Sequence, residues 1–301
     1  MSDQAQRLRQ LASNLKSEIK SRGRGLEQHR ARVVAVTSGK GGVGKTNFAV
    51  NLALALIQRG REVLLLDADL GLANVDVVLG TNPTYHLGHV VRGEKRLQDV
   101  VYRGPLGLKL IAGGSGLNEL LDVGEIEMKR FISGLEVLSN QCDYLLLDTG
   151  AGLSHQVTSF VLAADEILVV TNPEPTAMTD AYATIKVIGR QNPSATVRLV
   201  MNAVEDDEEA NLAVNRLTMA ALRFLGLHVD SLGAIPYDGS VTKAVKKQQP
   251  YLLAFPGAPA ARAVKELAAN LEGGNLEGGN PEGGTGMFFD RLARFFSNPR
   301  A

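Results

Sequence analysis

The chain has 301 residues, of which 45% are hydrophobic, so it can bury the core of one large α/β domain with appendages. Because its formal net charge is zero, no overall field attracts nucleic acid, and we expect no direct binding to DNA. The single cysteine, Cys142, excludes an internal disulfide, and the lack of a membrane-spanning or signal-peptide pattern predicts a cytoplasmic protein.

The first 31 residues, which we call the leader, are polar and basic. Apolar residues recur at helical spacing within "DQAQRLRQLASNLKSEIK", at Leu8, Leu11, Leu15 and Ile19. This pattern predicts a short amphipathic helix within residues 1–24, followed by a hinge at "SRGRG". On composition alone, a disordered basic segment is the alternative.

Seven apolar runs then alternate with segments of helix length. They lie at residues 33–37, 63–67, 108–112, 144–148, 166–171, 197–202 and 230–234. The alternation predicts a doubly wound α/β domain, in which a mostly parallel sheet carries helices on both faces. Ligands of such sheets bind beyond the carboxyl ends of the strands, so motifs at those ends supply the candidate site residues.

A phosphate-binding pattern lies between the first strand and the first long helix. The stretch "GKGGVGKT", Gly39 to Thr46, fits G-x-x-x-x-G-K-[ST]. Backbone N–H groups of such a loop turn toward phosphates, Lys45 reaches the β- and γ-phosphates, and the Thr46 hydroxyl binds Mg²⁺. The predicted nucleotide-binding residues here are Gly39, Lys40, Gly41, Gly42, Val43, Gly44, Lys45, Thr46 and Asn47. A glycine-rich turn without a ligand is the alternative.

The second lysine of the loop, Lys40, is not needed by the phosphate cradle, and taken alone it reads as a solvated loop residue. "KGGVGKT" resembles the deviant Walker A loop of the MinD/ParA family of dimeric ATPases. The resemblance implies the P-loop NTPase fold, ATP and Mg²⁺ as ligands, and a lysine at position 40 that crosses the dimer interface to the ATP of the partner subunit. Formation of the homodimer is then expected to depend on ATP.

Carboxylates close two of the predicted strands. "LLLDADLGLANVD" carries Asp67 and Asp69, and the resemblance implies that Asp69 positions or activates the attacking water while Asp67 supports the metal shell. "YLLLDTGAG" carries Asp148, the Walker B-like carboxylate that holds Mg²⁺ through water. A solvated cap is the alternative for the first pair. The catalytic residues so implied are Lys40, Lys45 and Asp69, and the metal residues are Thr46, Asp67 and Asp148.

Two further strand ends are candidates for recognition of the base. "LVMNAV" places Asn202 at one of them, and "GAIPYD" places Pro236 and Tyr237 at the other. The resemblance implies that these regions enclose adenine. Asn202 taken alone reads equally well as a turn residue.

The resemblance extends over residues 32–271, and further motifs point to one group within the family. "DADLGLANVDVVLG", "EPTAMTDAYATIKVI" and "IPYDGSVTKAVKKQ" resemble the flagellar-number regulators of the FlhG group, also called FleN or YlxH. The resemblance implies that "DTGAG" is the second switch, a segment that moves when the γ-phosphate leaves. MinD-like proteins usually read D-x-P-A-G at this segment. "DQAQRLRQL" is similar to the short motif by which such regulators stimulate the GTPase FlhF.

This likeness implies an ATPase switch that dimerises with ATP and controls flagellar number and placement. The partners it implies are FlhF, cytoplasmic-ring proteins of the flagellar motor, the membrane and, as a further candidate, a FleQ-type transcription activator. The alternatives are a MinD-like division-site ATPase, a ParA-like partitioning ATPase, which would bind DNA, and a scaffold that binds nucleotide without hydrolysing it.

The end of the chain is expected to leave the domain. From Leu271 the sequence reads "LEGGNLEGGNPEGG", which predicts a flexible linker over residues 272–286. In the last segment, 287–297, the helical period gathers one apolar face from Phe288, Phe289, Leu292, Phe295 and Phe296. Charged residues take the opposite side. The pattern predicts an amphipathic helix that binds the inner face of the cell membrane peripherally and reversibly, with docking onto the protein's own surface as the alternative.

Overall fold

The structure is a computed structural model that describes residues 31–69, 74–114, 125–273 and 285–297. The helix predicted within residues 1–24 lies outside the described residues, and so does most of the predicted linker. None of the described helices is both long and apolar enough to cross a membrane.

One sheet of eight strands forms the centre of the domain, in the order β3-β4-β2-β5-β1-β6-β7-β8. The strands are β1 (Arg32–Ser38), β2 (Val63–Ala68), β3 (Tyr102–Arg103), β4 (Lys109–Ile111), β5 (Tyr144–Ala151), β6 (Glu166–Thr171), β7 (Val197–Val204) and β8 (Val229–Pro236). All pairs of neighbours are parallel except β3 with β4. The predicted fold class and its seven strands are confirmed. The short antiparallel β3 was not predicted, because two residues carry no period.

Helices cover both faces of the sheet. They are α1 (Lys45–Gln58), α2 (Val75–Leu79), α3 (Leu87–Val91), α4 (Glu125–Ser139), α5 (His155–Ala163), α6 (Pro175–Gln191), α7 (Asp207–Leu225), α8 (Gly239–Lys246), α9 (Tyr251–Ala254), α10 (Pro259–Gly273) and α11 (Thr285–Ser297). Val33 and Ala35 of β1 belong to one buried apolar cluster and Val34 and Val36 to another. Successive side chains of a strand point to opposite faces, so the two clusters are the two layers of the core. Cys142 lies buried in the first of these clusters.

The strand order brings the predicted motifs together. β1 lies between β5 and β6, and β5 also pairs with β2. In the register of these strands Asp148 is the partner of Val36 on one side and of Asp67 on the other. The loop that follows β1 and the two carboxylates therefore meet at the carboxyl edge of the sheet, where ligands of doubly wound folds bind.

The C-terminal end of α10 lies at the amino ends of the strands, opposite the candidate site. Glu166, at the start of β6, is fully buried and forms ion pairs with Arg32 and Arg198. Arg32 Nη1 donates to the carbonyl of Leu271 over 2.7 Å, and Arg198 Nη1 donates to that of Asn270 over 3.3 Å. Two arginines thus cap the last turn of α10, and one buried carboxylate offsets one of their two positive charges.

The boundaries of the C-terminal segments differ slightly from the predicted ones. α10 runs to Gly273, two residues beyond the predicted end of the domain at 271. Glu272, which we predicted to begin the linker, instead forms ion pairs with Arg59 and Arg61. The composition of "LEGG" predicts a loop, but these two ion pairs hold its first residues in the helix. α11 likewise begins at Thr285, two residues before the predicted start.

The C-terminal helix α11 packs against α4, α5 and β1. Phe288 and Leu292 are fully buried, Phe289 is 3% exposed, and Phe295 is partly buried against the same cluster. Each large apolar side chain contributes about 1.5–3 kcal/mol on burial, so the three buried ones contribute roughly 5–9 kcal/mol together. Docking onto the protein's own surface, the alternative to a membrane role, is the state that the structure describes.

Candidate nucleotide-binding site

The loop between β1 and α1 has a backbone that only glycine adopts without strain. Gly42 has φ 84° and Gly44 has φ 91°, both in the left-handed region. At Gly39 the reason is space, because a Cβ atom there would lie 2.2 Å from the carbonyl oxygen of Asp180 in α6. Gly39, Gly42 and Gly44 are thus required by this fold, and the loop leads directly into the N-terminus of α1, where N–H groups bind anions.

Lys45 lies within the loop's concave side and is only 6% exposed. Its Nζ donates to Asp148 Oδ1 over 2.8 Å. Burial raises the pKa of Asp148, and the Lys45 ammonium and the Thr46 hydroxyl, which both lie against this carboxylate, oppose the increase. The second oxygen, Oδ2, is buried without a hydrogen-bond partner among the described residues. A carboxylate oxygen left free beside a hydroxyl fits Mg²⁺, which prefers oxygen ligands.

Asp67 is buried beside this pair and holds the backbone on both sides of residues 70–73. Its Oδ1 accepts from the N–H of Asp69 over 3.2 Å, and its Oδ2 accepts from the N–H of Val75 over 3.3 Å. Burial, and then the charge of Asp148, raise the pKa of Asp67 to about 7. Both oxygens of Asp67 are therefore engaged with the backbone, and its support of a metal shell stays a prediction.

A cavity of about 570 Å³ opens over the loop. It is lined by Ser38, Gly41, Gly42, Gly44, Lys45, Thr46, Asn47, Asp69, Asn74, Val77, Val78, Ala151 and Val245. The sequence analysis did not find the residues from α2 and α8, because only the fold brings these helices beside the loop. Val77 and Val245 are nearly half exposed and form an apolar edge on the cavity.

Two glycines of "DTGAG" connect the second predicted switch to the loop. The N–H of Gly152 donates to the carbonyl of Ser38 over 2.9 Å, and Gly152 has φ 92°. A Cβ atom at Gly150 would lie 3.3 Å from Asp69 Oδ1. Asp69, which we predict to position water, is thus packed against the segment that leads from β5 to α5.

Lys40 lies outside this cradle. Its side chain is 40% exposed, and its Nζ donates to Thr176 Oγ1 over 3.0 Å and to Glu174 Oε2 over 3.2 Å. Glu174 occupies the N-cap position of α6 without a capping hydrogen bond from its side chain, and Thr176 lies in the first turn. The sequence analysis quoted "EPTAMTDAYATIKVI" only for its family likeness and did not recognise these two residues as partners of Lys40. The structure therefore separates the two lysines, one inside the phosphate loop and one on its outer side.

The predicted base-binding residues are only partly brought to the loop. Asn202 Nδ2 donates to the carbonyl of Val43 over 2.7 Å, so this amide contacts the loop itself. Ala203 follows with φ 56°, a conformation that side chains other than glycine rarely adopt. Pro236 ends β8, and Tyr237 is 72% exposed. Neither residue belongs to the cavity's described lining, and their contact with a base stays a prediction.

The sequence and the fold both have known relatives. A family model described as an AAA domain matches residues 31–198. The antiactivator FleN of Pseudomonas aeruginosa is 43% identical over 81% of this chain and 87% of its own. The flagellum site-determining protein YlxH of Helicobacter pylori is 34% identical over 98% of this chain and 99% of its own.

Solved structures give the same result. The cell division ATPase MinD of Pyrococcus furiosus superposes with a TM-score of 0.67 at 28% identity, over 80% of this chain and 98% of its own. MinD of Pyrococcus horikoshii complexed with Mg-ADP has a TM-score of 0.68 at 26% identity, over 81% of this chain and 96% of its own.

We predict that Lys45→Ala weakens binding of Mg-ATP by about 10- to 150-fold, because a hydrogen bond from a charged group contributes about 1.5–3 kcal/mol. Titration with a fluorescent ATP analogue measures this. Lys40→Ala is the matched control and is expected to bind within about threefold of the wild type, since Lys40 lies outside the cavity. Wild-type affinity in Lys45→Ala would contradict the assignment of the loop.

Proposed function

The chain belongs to the MinD/ParA family of P-loop ATPases, and we propose that it hydrolyses Mg-ATP in a cycle of dimerisation that sets flagellar number and placement. The observation that carries the proposal is the separation of two lysines in one loop, Lys45 in the cradle and Lys40 outside it. The likeness to FleN and YlxH supports the flagellar role.

The chain's own groups have separate tasks in hydrolysis. N–H groups of the loop and the Lys45 ammonium bind the phosphates, and Asp148 with Thr46 holds the cation. When bound, Mg²⁺ supplies positive charge that stabilises the phosphoryl oxygens in the transition state. Asp69, half-buried at the cavity and packed beside Gly150, orients the attacking water. To bind the phosphates, Lys45 leaves its ion pair with Asp148.

Dimerisation uses the lysine outside the cradle. In the isolated subunit Lys40 is held by Glu174 and Thr176, all three partly or largely exposed. An exposed ion pair of this kind contributes only about 0–1 kcal/mol, so little is lost when Lys40 turns to the phosphates of a second subunit. An ammonium group buried at that interface is costly without the phosphate charge. ATP is therefore required for the dimer.

Lys40→Ala and Asp69→Ala test this cycle as a pair. We expect Lys40→Ala to stay monomeric with ATP in multi-angle light scattering. Asp69→Ala should dimerise with ATP but release phosphate at least about 100-fold more slowly, because positioning of water acts on the transition state rather than on binding. A Lys40→Ala protein that dimerises like the wild type contradicts the cross-subunit role. Undiminished hydrolysis in Asp69→Ala removes that residue from the mechanism.

Protein partners are assigned to two different parts of the chain. The leader is assigned to the GTPase FlhF, from the likeness of "DQAQRLRQL" to its activating motif. A cytoplasmic-ring protein of the flagellar motor is assigned to the surface of α6 and α7 around Phe224, which is 68% exposed and lies beside Arg223. A cavity of about 380 Å³ between the helices adjoins it, with Lys186 and Arg190 in its lining. An exposed aromatic among cations suits an acidic partner with an apolar anchor.

A reciprocal pair of variants separates these two surfaces. Phe224→Ala is expected to lose capture of the ring protein by at least about tenfold, since exposed aromatic anchors are typical hot spots, and to keep the stimulation of FlhF. Deletion of residues 1–20 should do the reverse and leave ATP hydrolysis intact. Pull-down with the purified ring protein and a GTPase assay measure both. Loss of both activities in either variant would contradict the division. The antiactivator relative makes a FleQ-type activator a further candidate.

Membrane association is proposed to require release of α11. In the docked state the apolar face of this helix is buried in the protein, so lipid cannot reach Phe288 or Leu292. Once α11 is released, that face can enter a bilayer while Arg291 and Arg294 meet anionic headgroups. A single short helix binds a membrane weakly, but two in one dimer act with avidity. ATP then controls membrane binding through dimerisation, and the protein is cytoplasmic otherwise.

We predict that the wild type co-sediments with anionic liposomes in ATP at least about fivefold more than in ADP, because only the dimer binds with two helices. Phe288→Glu with Phe295→Glu should prevent co-sedimentation in ATP without preventing dimerisation. Phe295→Leu, which preserves an apolar side chain at a partly buried position, serves as the control and should sediment like the wild type. Equal sedimentation in both nucleotide states would contradict the proposal.

A further inference from the structure

Release of α11 leaves an apolar groove open on the ATPase domain. The groove lies between α4, α5 and β1, and Phe131 of α4 and Phe160 of α5 belong to the same buried apolar cluster as the docked helix. When α11 inserts into a membrane, lipid covers its own apolar face, but the walls on α4 and α5 stay behind in water. Exposing a contiguous apolar surface of this kind is unfavourable. The released state therefore needs a second occupant of the groove.

The leader joins the domain at this groove. Ala31, directly before β1, is buried in the same apolar cluster as Phe288 and Phe160. Val33, two residues later, donates its N–H to Asp165, which follows α5 by two residues. The thirteen residues from Ile19 to Ala31 span up to about 40 Å when extended. A helix of the length of α11 spans about 20 Å, so the leader reaches any part of the groove.

The charge of the leader also matches that of the helix it would replace. Arg291 of α11 lies near the partly buried Asp165 and offsets part of its negative charge. Residues 1–30 carry seven Lys and Arg against three Asp and Glu. The leader can therefore present a cation to Asp165 in the place of Arg291, together with an apolar stripe of the same helical period as that of α11.

We propose that the leader's apolar stripe, Leu8, Leu11, Leu15 and Ile19, occupies the groove when α11 leaves it. The two ends of the chain then exchange at one site, and the exchange rests on the proposed release of α11. Leu8 and Leu11 also belong to the segment assigned to the GTPase partner. A leader that fills the groove is withheld from that partner, so membrane binding and GTPase stimulation exclude each other within one subunit.

The test uses the full chain with Phe288→Glu, in ADP and without membrane. A charge at this fully buried position keeps α11 out of the groove. Hydrogen exchange then reports the new occupant. We expect amides of residues 8–19 to exchange at least tenfold more slowly than in the wild type, while α4 keeps its protection. Adding Leu11→Glu and Leu15→Glu should remove the protection of residues 8–19 and speed exchange in α4 at least tenfold.

Gln10→Glu with Ser17→Glu adds the same two charges on the opposite side of the leader's helical period and should leave the protection of α4 unchanged. If Phe288→Glu fails to fold, Phe289→Ser gives the same comparison. The proposal is overturned if Leu11→Glu with Leu15→Glu leaves the protection of α4 unchanged. It is also overturned if that protection rises with protein concentration, because this indicates a second copy of the chain in the groove. The hydrogen-exchange experiment contains neither ATP nor lipid, so a negative result leaves the proposed membrane cycle unaffected. Conversely, loss of ATP-dependent sedimentation alone contradicts only that cycle.

Discussion

A buried ion pair at the carboxyl ends of the central strands is the interaction on which the rest of the site depends. Lys45 and Asp148 are nearly inaccessible to water, and burying two charges is costly unless both are fully coordinated. Asp148 is coordinated on one side only, since its Oδ2 has no hydrogen-bond partner in the part of the chain that the structure describes. Asp67, its register partner on β2, carries a pKa raised to about 7. Three strands therefore bring together more carboxylate than cation, and this imbalance favours a divalent cation with a nucleotide.

Much of this arrangement could be predicted from the sequence, because the deciding interactions are local or repeat along the chain. Parallel strands buried on both faces appear as apolar runs, and the phosphate loop carries its own glycines, lysine and threonine. What escaped prediction depends on pairing between distant segments. The partners of Lys40 lie 134 and 136 residues away, and α2 and α8 reach the cavity only through the fold.

The C-terminal helix shows a different limit of the sequence. Its apolar face was predicted correctly for Phe288, Phe289 and Leu292, all of which are buried. The period of a helix shows that one face avoids water, but it does not distinguish lipid from protein as the alternative. Docking of α11 depends on the groove between α4 and α5. That groove is formed by side chains of two other helices, so the sequence of α11 alone does not show it.

The position of α5 couples the two ends of the sheet. This helix begins three residues after Gly152, whose N–H is bound to Ser38 at the end of β1, and its wall packs against α11. α5 has nine residues and is thus about 13 Å long. Close-packed interiors transmit displacement rather than absorb it, so a helix this short moves largely as one body. A change of the Gly150–Gly152 segment at the nucleotide edge consequently reaches the groove of α11 through one element. The proposed control of α11 by ATP therefore requires no contact between this helix and the nucleotide.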